Sequence, residues 1–195
     1  EIWQPQLDFF KDCSTLSYDI LGHGKSSLNK EKINFDDFSN QLVNLIDELK
    51  INKIHLVGFS IGSLIARNFA TKFSDRLESL ILLGSIYKRS EEQQKIVNER
   101  FVKAKKELKL SKQALKRWFT DKYLQNNPET YEKISSILAS NNMAHFLKVY
   151  ELFVKHKNEE DFKKIKANTL VMTGELDVGS TVEMSQELNK IINNS

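Results

Sequence analysis

The sequence is poor in the residues that mark several classes of protein. Cys13 is the only cysteine among 195 residues, which excludes an internal disulfide and a cysteine-based metal site. No stretch approaches the roughly 18 consecutive apolar residues of a membrane-spanning helix. Two prolines, seven glycines and 40% hydrophobic residues are an ordinary globular composition. We therefore expect no membrane partner, and the lone cysteine favours a cytoplasmic location.

The net charge is also small, at +3, which is too little to predict a nucleic-acid partner. The basic residues are unevenly spread, since twelve Lys or Arg stand against five Asp or Glu between Lys88 and Lys122. Such a stretch is more often a solvated helical face than a surface that attracts an anionic substrate. The sequence opens at Glu1 without an initiator Met, so a leader peptide is not visible in it but could stand on a missing N-terminus.

Three continuous apolar runs predict buried strands: Ile54 to Phe59, Leu80 to Leu83 and Leu170 to Met172. A further β-prone run extends from Cys13 to Ile20. From Asn34 onward, apolar residues recur at helical spacing as far as Leu49, and Asn34 is a suitable N-cap. Strands in which apolar and polar residues do not alternate, separated by amphipathic helices, predict an α/β fold whose parallel sheet is covered on both faces.

Residues 87–162 carry no strand signal, and their apolar residues follow helical spacing in about four segments. A helical insertion between two strands of a parallel sheet is typical of a cap over a pocket. We therefore predict a core made of residues 1–86 and 163–195 and a helical cap made of residues 87–162.

The most specific motif is Gly58-Phe59-Ser60-Ile61-Gly62, which fits G-x-S-x-G where a predicted strand turns into a helix. A serine in that turn exposes its hydroxyl above the sheet, and Gly58 and Gly62 let strand and helix approach closely. The N–H of Ile61 lies at the helix N-terminus, where it can stabilise an oxyanion. The motif predicts a nucleophilic serine at position 60.

A second motif, from Asp19 to Ser27, resembles a phosphate-binding loop because it contains Gly24-Lys25-Ser26. The first glycine of that pattern should stand at position 19, which is Asp19, so we reject a nucleotide-binding site. His23 lies in the same turn, and a structural role there is more frequent than a role as base.

Acidic residues follow the last predicted strand, in Thr173-Gly174-Glu175-Leu176-Asp177. An acid after a late strand can orient a catalytic histidine and stabilise its charged form. Glu175 and Asp177 both satisfy this requirement by their chemistry.

Taken together, Trp3-Gln4-Pro5-Gln6, the D-x-x-G-H-G-x-S turn, the GFSIG turn and TGELD resemble the α/β-hydrolase fold family in the family's own order. On this resemblance Ser60 is the nucleophile, Asp177 the acid and Ile61 an oxyanion donor, with no cofactor and no metal. The segments Arg117-Trp118-Phe119-Thr120 and Asp177-Val178-Gly179-Ser180-Thr181 further resemble 3-oxoadipate enol-lactonases and small esterases.

The sequence departs from this family at the catalytic histidine, which should follow the acid. His23, His55, His145 and His156 all precede Asp177, so we expect the catalytic histidine to lie outside this chain. The resemblance also implies that the family's first strands and its last strand and helix are missing. We therefore expect the 195 residues alone to be essentially inactive and prone to aggregate.

The resemblance implies a hydrolase of small carboxylic esters or enol-lactones that works through an acyl-enzyme. Carbon–carbon bond hydrolysis on the same triad is the nearest alternative. A non-catalytic ligand-binding relative is a further alternative, and the residue at the position of the base would discriminate it.

Overall fold

The computed structural model describes residues 2–107, 115 and 118–195. These residues form two compact units. One consists of the described residues within 1–29 and 104–147, and the other of residues 30–103 and 148–195. The second unit contains the sheet and the residues of the predicted active site. The division into a core and a cap at residues 87 and 162 remains a prediction.

The sheet contains three parallel strands in the order β1-β2-β3, which are Ile54–Phe59, Leu77–Leu83 and Asn168–Met172. All three predicted strands are confirmed, and β2 and β3 begin a few residues earlier than their apolar runs. The register pairs Gly58 with Leu82, and Leu82 with Val171. The strands therefore end together, because parallel strands in this register place their carboxyl ends at one edge of the sheet.

Helices connect and flank the strands. In chain order they are α1 (Gln4–Phe9), α2 (Phe35–Glu48), α3 (Ile61–Lys72), α4 (Glu91–Glu107), α5 (Asp121–Asn126), α6 (Pro128–Ser140), α7 (Met143–Lys155) and α8 (Val182–Ile191). Helices α4 to α7 all lie between β2 and β3 in the chain, and the described residues of 87–162 include no strand. The predicted helical insertion is thus confirmed. Arg117, which belongs to the enol-lactonase resemblance, lies outside the described residues.

Helix α2 begins where the sequence predicts. The Asn34 side chain accepts a hydrogen bond from the Asp37 N–H at 3.2 Å, and the Asp37 carboxylate accepts one from the Asn34 N–H at 2.9 Å. This reciprocal capping box satisfies two N–H groups that the helix itself leaves without an acceptor. The buried face of α2 packs against α3 through residues including Phe38, Leu42 and Ile46.

Helix α3 packs against β1 and β2, and the core of the second unit lies between them. Leu64 and Phe69 of α3 and Leu80 and Leu82 of β2 are all completely buried. Each such side chain contributes about 1.5–3 kcal/mol by leaving water. This burial anchors the helix that begins at the predicted nucleophile.

The two faces of the sheet differ in exposure among these 195 residues. On the α3 side Leu80 and Leu82 are completely buried, whereas Val57, Phe59, Leu170 and Met172 on the other side are 40%, 53%, 52% and 47% exposed. Neighbouring residues of one apolar run therefore differ in burial. Continuous apolar runs indicate strands that can be buried on both faces, but which elements cover each face depends on packing.

The predicted β-prone run is corrected, because residues 14–20 have no regular secondary structure. A strand requires a neighbour for its ladder hydrogen bonds, and the described sheet pairs only β1, β2 and β3. Among the described residues, no helix combines the length and the apolar character needed to cross a membrane.

Candidate active site

Ser60 occupies a strained turn between β1 and α3. Its backbone has φ 53° and ψ −120°, a conformation that non-glycine residues rarely adopt and that costs on the order of 1–3 kcal/mol. Its N–H donates to the carbonyl of Leu83 on β2 at 3.0 Å, and its carbonyl accepts from the Ser63 N–H at 2.9 Å. A half-buried serine in such a turn has the geometry of a nucleophile elbow.

The two glycines of the motif contribute differently. A Cβ on Gly58 would lie 2.3 Å from the Gly62 carbonyl oxygen and 2.8 Å from the Ala66 Cβ, so only glycine allows α3 to lie this close to β1. A Cβ on Gly62 would meet nothing within 4 Å among the described residues. The close approach of α3 to β1 therefore accounts for the glycine at position 58 but not for the glycine at position 62.

Ile61 is the first residue of α3. The first N–H groups of a helix have no acceptor within it, and the helix dipole adds partial positive charge at this end. The Ile61 N–H follows Ser60 directly, so its position suits an oxyanion that forms on the carbonyl oxygen of a group attacked by the Ser60 hydroxyl.

Asp177 lies in the loop after β3 and organises that loop with its own carboxylate. Oδ1 accepts hydrogen bonds from the Gly179 N–H at 2.8 Å and the Ser180 N–H at 3.0 Å, and Oδ2 accepts one from the Ser180 Oγ at 2.8 Å. The Asp177 N–H in turn donates to the Gly174 carbonyl at 3.0 Å. A carboxylate has roughly four acceptor sites, so these three bonds orient it and leave capacity for one more donor.

Glu175, the other predicted acid, is exposed, whereas Asp177 is half-buried. The structure gives Asp177 defined partners in its own loop. It therefore favours Asp177 over Glu175 on geometry.

The Ser60 turn and the Asp177 loop meet the end of β2 from its two sides. Gly84 follows β2, and its N–H donates to the Met172 carbonyl of β3 at 2.8 Å. A Cβ on Gly84 would lie 3.2 Å from the Ser180 Oγ and 3.4 Å from the Phe59 ring. Gly84, with φ 54°, thus lies between Phe59, which precedes Ser60, and Ser180, which donates to Asp177. The two candidate residues flank a single strand at the carboxyl edge, where parallel sheets place their sites.

Two histidines, His55 and His156, belong to the same unit as Ser60. The contacts described for both are to residues outside the Ser60 turn. His55 Nδ1 lies 2.8 Å from the Ser79 Oγ, near the amino ends of β1 and β2. His156 is buried against Phe35 and Glu160.

The D-x-x-G-H-G-x-S turn belongs to the other unit and is held by its aspartate. Asp19 Oδ2 accepts from the Lys25 N–H at 2.9 Å, and a Cβ on Gly24 would lie 2.3 Å from the same oxygen. Burial lowers the pKa of His23, although the Leu21 carbonyl and Asp19 oppose the shift. His23 contacts the Phe146 ring edge to face, at 6.0 Å between centroids. These contacts fit a structural role for the turn.

Sequence reasoning missed Ser180 and Gly84. The Asp177-x-x-Ser180 spacing is a signal for Ser180, because an aspartate commonly accepts hydrogen bonds from residues two and three positions later. No sequence signal marks Gly84, since its neighbours come from β1 and the Asp177 loop. No group of three or more metal-ligating side chains occurs in the described part of the chain.

Comparison with known proteins identifies the family. A family model described as alpha/beta hydrolase fold matches residues 1–195. Two proteins of Acinetobacter baylyi, 3-oxoadipate enol-lactonase 2 and (E)-2-((N-methylformamido)methylene)succinate hydrolase, are each 27% identical to the chain. Both matches cover 96% of this chain, and they cover 70% and 72% of the relatives.

Solved structures agree with this assignment. The enol-lactonase from Burkholderia xenovorans superposes with a TM-score of 0.87 at 25% identity, covering 99% of this chain and 75% of that protein. A hydrolase from Pseudomonas aeruginosa superposes with a TM-score of 0.86 at 21% identity, covering 99% and 74%. The sequence match over the whole chain and the shared fold lead to one conclusion: the chain belongs to the α/β-hydrolase fold family.

Proposed function

We propose that the complete protein is a cofactor-independent hydrolase that cleaves a small carboxylic ester or enol-lactone through Ser60. The observation that carries this proposal is the left-handed backbone of Ser60 at a strand-to-helix turn, with Gly58 allowing the helix to lie close. The relatives named as an enol-lactonase and a succinate-derivative hydrolase support a substrate that is a small organic acid derivative.

In the proposed reaction a base removes the proton of Ser60 Oγ while that oxygen attacks the substrate carbonyl carbon. The carbonyl oxygen becomes an anion, which the Ile61 N–H stabilises together with a second donor. The carbon–oxygen bond to the leaving group then breaks, and the leaving oxygen takes the proton from the base. In the second half, water loses a proton to the base and attacks the acyl carbon, and Ser60 Oγ leaves as the protonated hydroxyl.

Asp177 is the proposed orienting acid. Its three hydrogen bonds to Gly179 and Ser180 fix the carboxylate, and its remaining acceptor capacity suits the ring N–H of a histidine. A histidine held in this way keeps the tautomer that accepts the serine proton. The acid thereby acts through the base.

The proposed base is a histidine outside these 195 residues. His55 is engaged with Ser79 and His156 with Glu160, and all four histidines precede the acid in the chain. Removing the base of a triad costs several orders of magnitude in rate. We therefore expect the 195-residue chain alone to show no Ser60-dependent turnover above background.

The first test is a panel of esters and lactones with the protein expressed from its full coding sequence. We expect Ser60→Ala to lower kcat by about 10⁴-fold or more, because it removes the attacking oxygen. A fluorophosphonate, which reacts with activated serines, should label Ser60 in the parent protein and leave the Ser60→Ala variant unlabelled.

Ser63→Ala is the matched control, because Ser63 is also a serine in the first turn of α3 but donates its hydroxyl to the Ser60 carbonyl. Its kcat should fall far less than that of Ser60→Ala. Turnover that survives Ser60→Ala would refute the proposed nucleophile. Absence of both labelling and turnover in the full-length protein would favour a non-catalytic ligand-binding relative.

A further inference from the structure

Arg67 is a fully buried cation in the helix that begins at Ser60. It lies two turns into α3, and its relative exposure is 0%. Desolvation alone lowers the pKa of a buried guanidinium, and here the neighbouring Glu160 carboxylate opposes that shift. A buried charge persists only where partners compensate for the lost water. The partners of Arg67 therefore indicate why α3 carries it.

One group of partners follows β2. The Arg67 Nη1 donates to the Ile86 carbonyl at 2.7 Å and lies 3.4 Å from the Ser85 Oγ. Ser85 is completely buried, and Ile86 is 4% exposed. These residues come directly after Gly84 and begin the stretch that leads into the helical insertion.

A second group of partners precedes β3. The Arg67 Nη2 donates to the Glu160 Oε2 at 2.8 Å and to the Asn158 Oδ1 at 3.2 Å. The Phe162 ring covers the guanidinium, with its centroid 4.9 Å from Cζ. These residues form the stretch that returns from α7 to β3. One side chain of α3 therefore bonds both stretches that flank the helical insertion.

His156 completes this buried cluster. Its Nε2 lies 3.2 Å from the Glu160 Oε1 and 3.4 Å from the Arg67 Nη2. When Nε2 carries a proton it can donate to Glu160, and when it carries none it can accept from Arg67. Burial raises the pKa of Glu160, but His156 and Arg67 together outweigh burial and hold that pKa below its usual value. Glu160 thus stays ionised opposite Arg67.

We propose that Arg67 is a positioning residue for the proposed hydrolase: its buried guanidinium joins α3, and hence Ser60, to both stretches that flank the helical insertion. The proposal rests on Ser60 as the nucleophile. The hydrogen bonds of Arg67 go to residues 85–86 and 158–160 and not to Ser60, so it acts through the placement of α3. A planar fork with donors on two sides suits this task, because an ammonium group cannot reach both stretches in fixed directions.

Arg89 provides a matched control. It is a half-buried arginine in the stretch after β2, and it donates to the carbonyls of Phe153 at 3.1 Å and Val154 at 3.3 Å near the end of α7. Its guanidinium also lies 4.6 Å from the Phe153 ring centroid. These contacts join the stretch after β2 to α7 and do not involve α3, so the removal of Arg89 loosens that junction without releasing the nucleophile helix.

The test compares Arg67→Met and Arg89→Met in the protein expressed from its full coding sequence. Arg67→Met should lower kcat and the rate of fluorophosphonate labelling by about 10-fold or more with little change in KM, since a misplaced nucleophile reacts slowly even when substrate binds. Amide hydrogen exchange should rise in residues 60–64, 85–90 and 156–162. Arg89→Met should leave kcat within about twofold and raise exchange only near Arg89 and Val154.

Two further variants separate positioning from stability. Arg67→Met leaves Glu160 buried without its cation, whereas Arg67→Met combined with Glu160→Met removes the pair and should recover much of the thermal stability. We expect kcat to stay low in this double variant. Arg67→Lys, which keeps the charge and loses the fork, should give an intermediate kcat.

Several results would overturn the proposal. These are an unchanged kcat in folded Arg67→Met, an equal loss in Arg89→Met, or recovery of kcat together with stability in the double variant. If the parent protein shows no Ser60-dependent turnover, the proposed function fails separately. Hydrogen exchange then decides the role of Arg67, and unchanged exchange in residues 60–64 would refute it.

Discussion

The turn at Ser60 and the loop at Asp177 both follow a parallel strand at the same edge of the sheet, yet different forces shape them. The Ser60 turn depends on the backbone: a positive φ, a close contact at Gly58 and a hydrogen bond to Leu83. The Asp177 loop depends on one side chain, whose carboxylate accepts three hydrogen bonds. Backbone strain therefore resides in the Ser60 turn, whereas the Asp177 loop is held by the hydrogen bonds of one side chain.

This difference has a consequence for mutations. A turn supported by tight packing at Gly58 tolerates no added atom at that position, because neither helix nor strand can move without disturbing the core. A loop held by a carboxylate tolerates isosteric changes that preserve its acceptors. The proposed nucleophile and acid should thus respond differently to substitution.

The largest expected effect is that of Gly58→Ala. The added Cβ would lie 2.3 Å from the Gly62 carbonyl oxygen, which is a backbone atom of α3. We expect a loss of about 3 kcal/mol in the free energy of unfolding, measured by urea denaturation, because the helix must move away from β1. Gly62→Ala is the control, since its Cβ meets no described atom within 4 Å. It should gain about 0.5 kcal/mol from helix propensity, and equal losses in both variants would contradict the packing argument.

Asp177→Ala should have the next largest effect on stability. It leaves the N–H groups of Gly179 and Ser180 without their carboxylate acceptor in a half-exposed loop, which should cost about 1.5 kcal/mol. Thermal unfolding at neutral pH measures this loss.

Asp177→Asn sharpens the same test. The amide oxygen still accepts from both N–H groups, so we expect this variant to keep most of the stability. In the full-length protein it should nevertheless lose about 10⁴-fold in kcat, because an amide orients a histidine in the wrong tautomer. A variant as unstable as Asp177→Ala, or one that is fully active, would contradict the proposed division between loop structure and catalysis.

The smallest expected effect is a gain from Ser60→Gly. Glycine relieves the strain of φ 53°, and the serine side chain makes no capping hydrogen bond to α3 among the described residues. The release of strain, offset by the greater entropy of unfolded glycine, should stabilise the chain by about 1 kcal/mol. Chemical denaturation should detect this gain. Ser60→Ala retains Cβ and should show no comparable increase, so a similar gain in both would locate the strain elsewhere.

The buried cluster around Arg67 illustrates a limit of periodicity. Leu64, Ile65 and Phe69 recur at helical spacing in α3, and all three are buried. Arg67 lies among them and is also completely buried, although arginine is almost never fully buried unless it is paired. Its partners Ile86 and Glu160 lie 19 and 93 residues away in the chain, and no local pattern marks such a pairing.

The sequence by itself determined the local elements and the two strand-end turns. Apolar runs located β1, β2 and β3, the N-cap residue Asn34 located the start of α2, and G-x-S-x-G located the strained turn. These features follow from neighbouring residues, because propensity, capping and backbone strain act over a few positions. The resemblance to the family's motif assigned Asp177 as the acid, but the chemistry of the two side chains could not exclude Glu175.

Only the tertiary structure decided the remainder. It placed Gly84 between Phe59 and Ser180, surrounded Asp177 with donors and buried Arg67. Each of these depends on which distant segments meet in space, and the free energy of such contacts is absent from any window of the sequence. Local chemistry therefore identified the candidate nucleophile, and long-range packing determined what holds its helix in place.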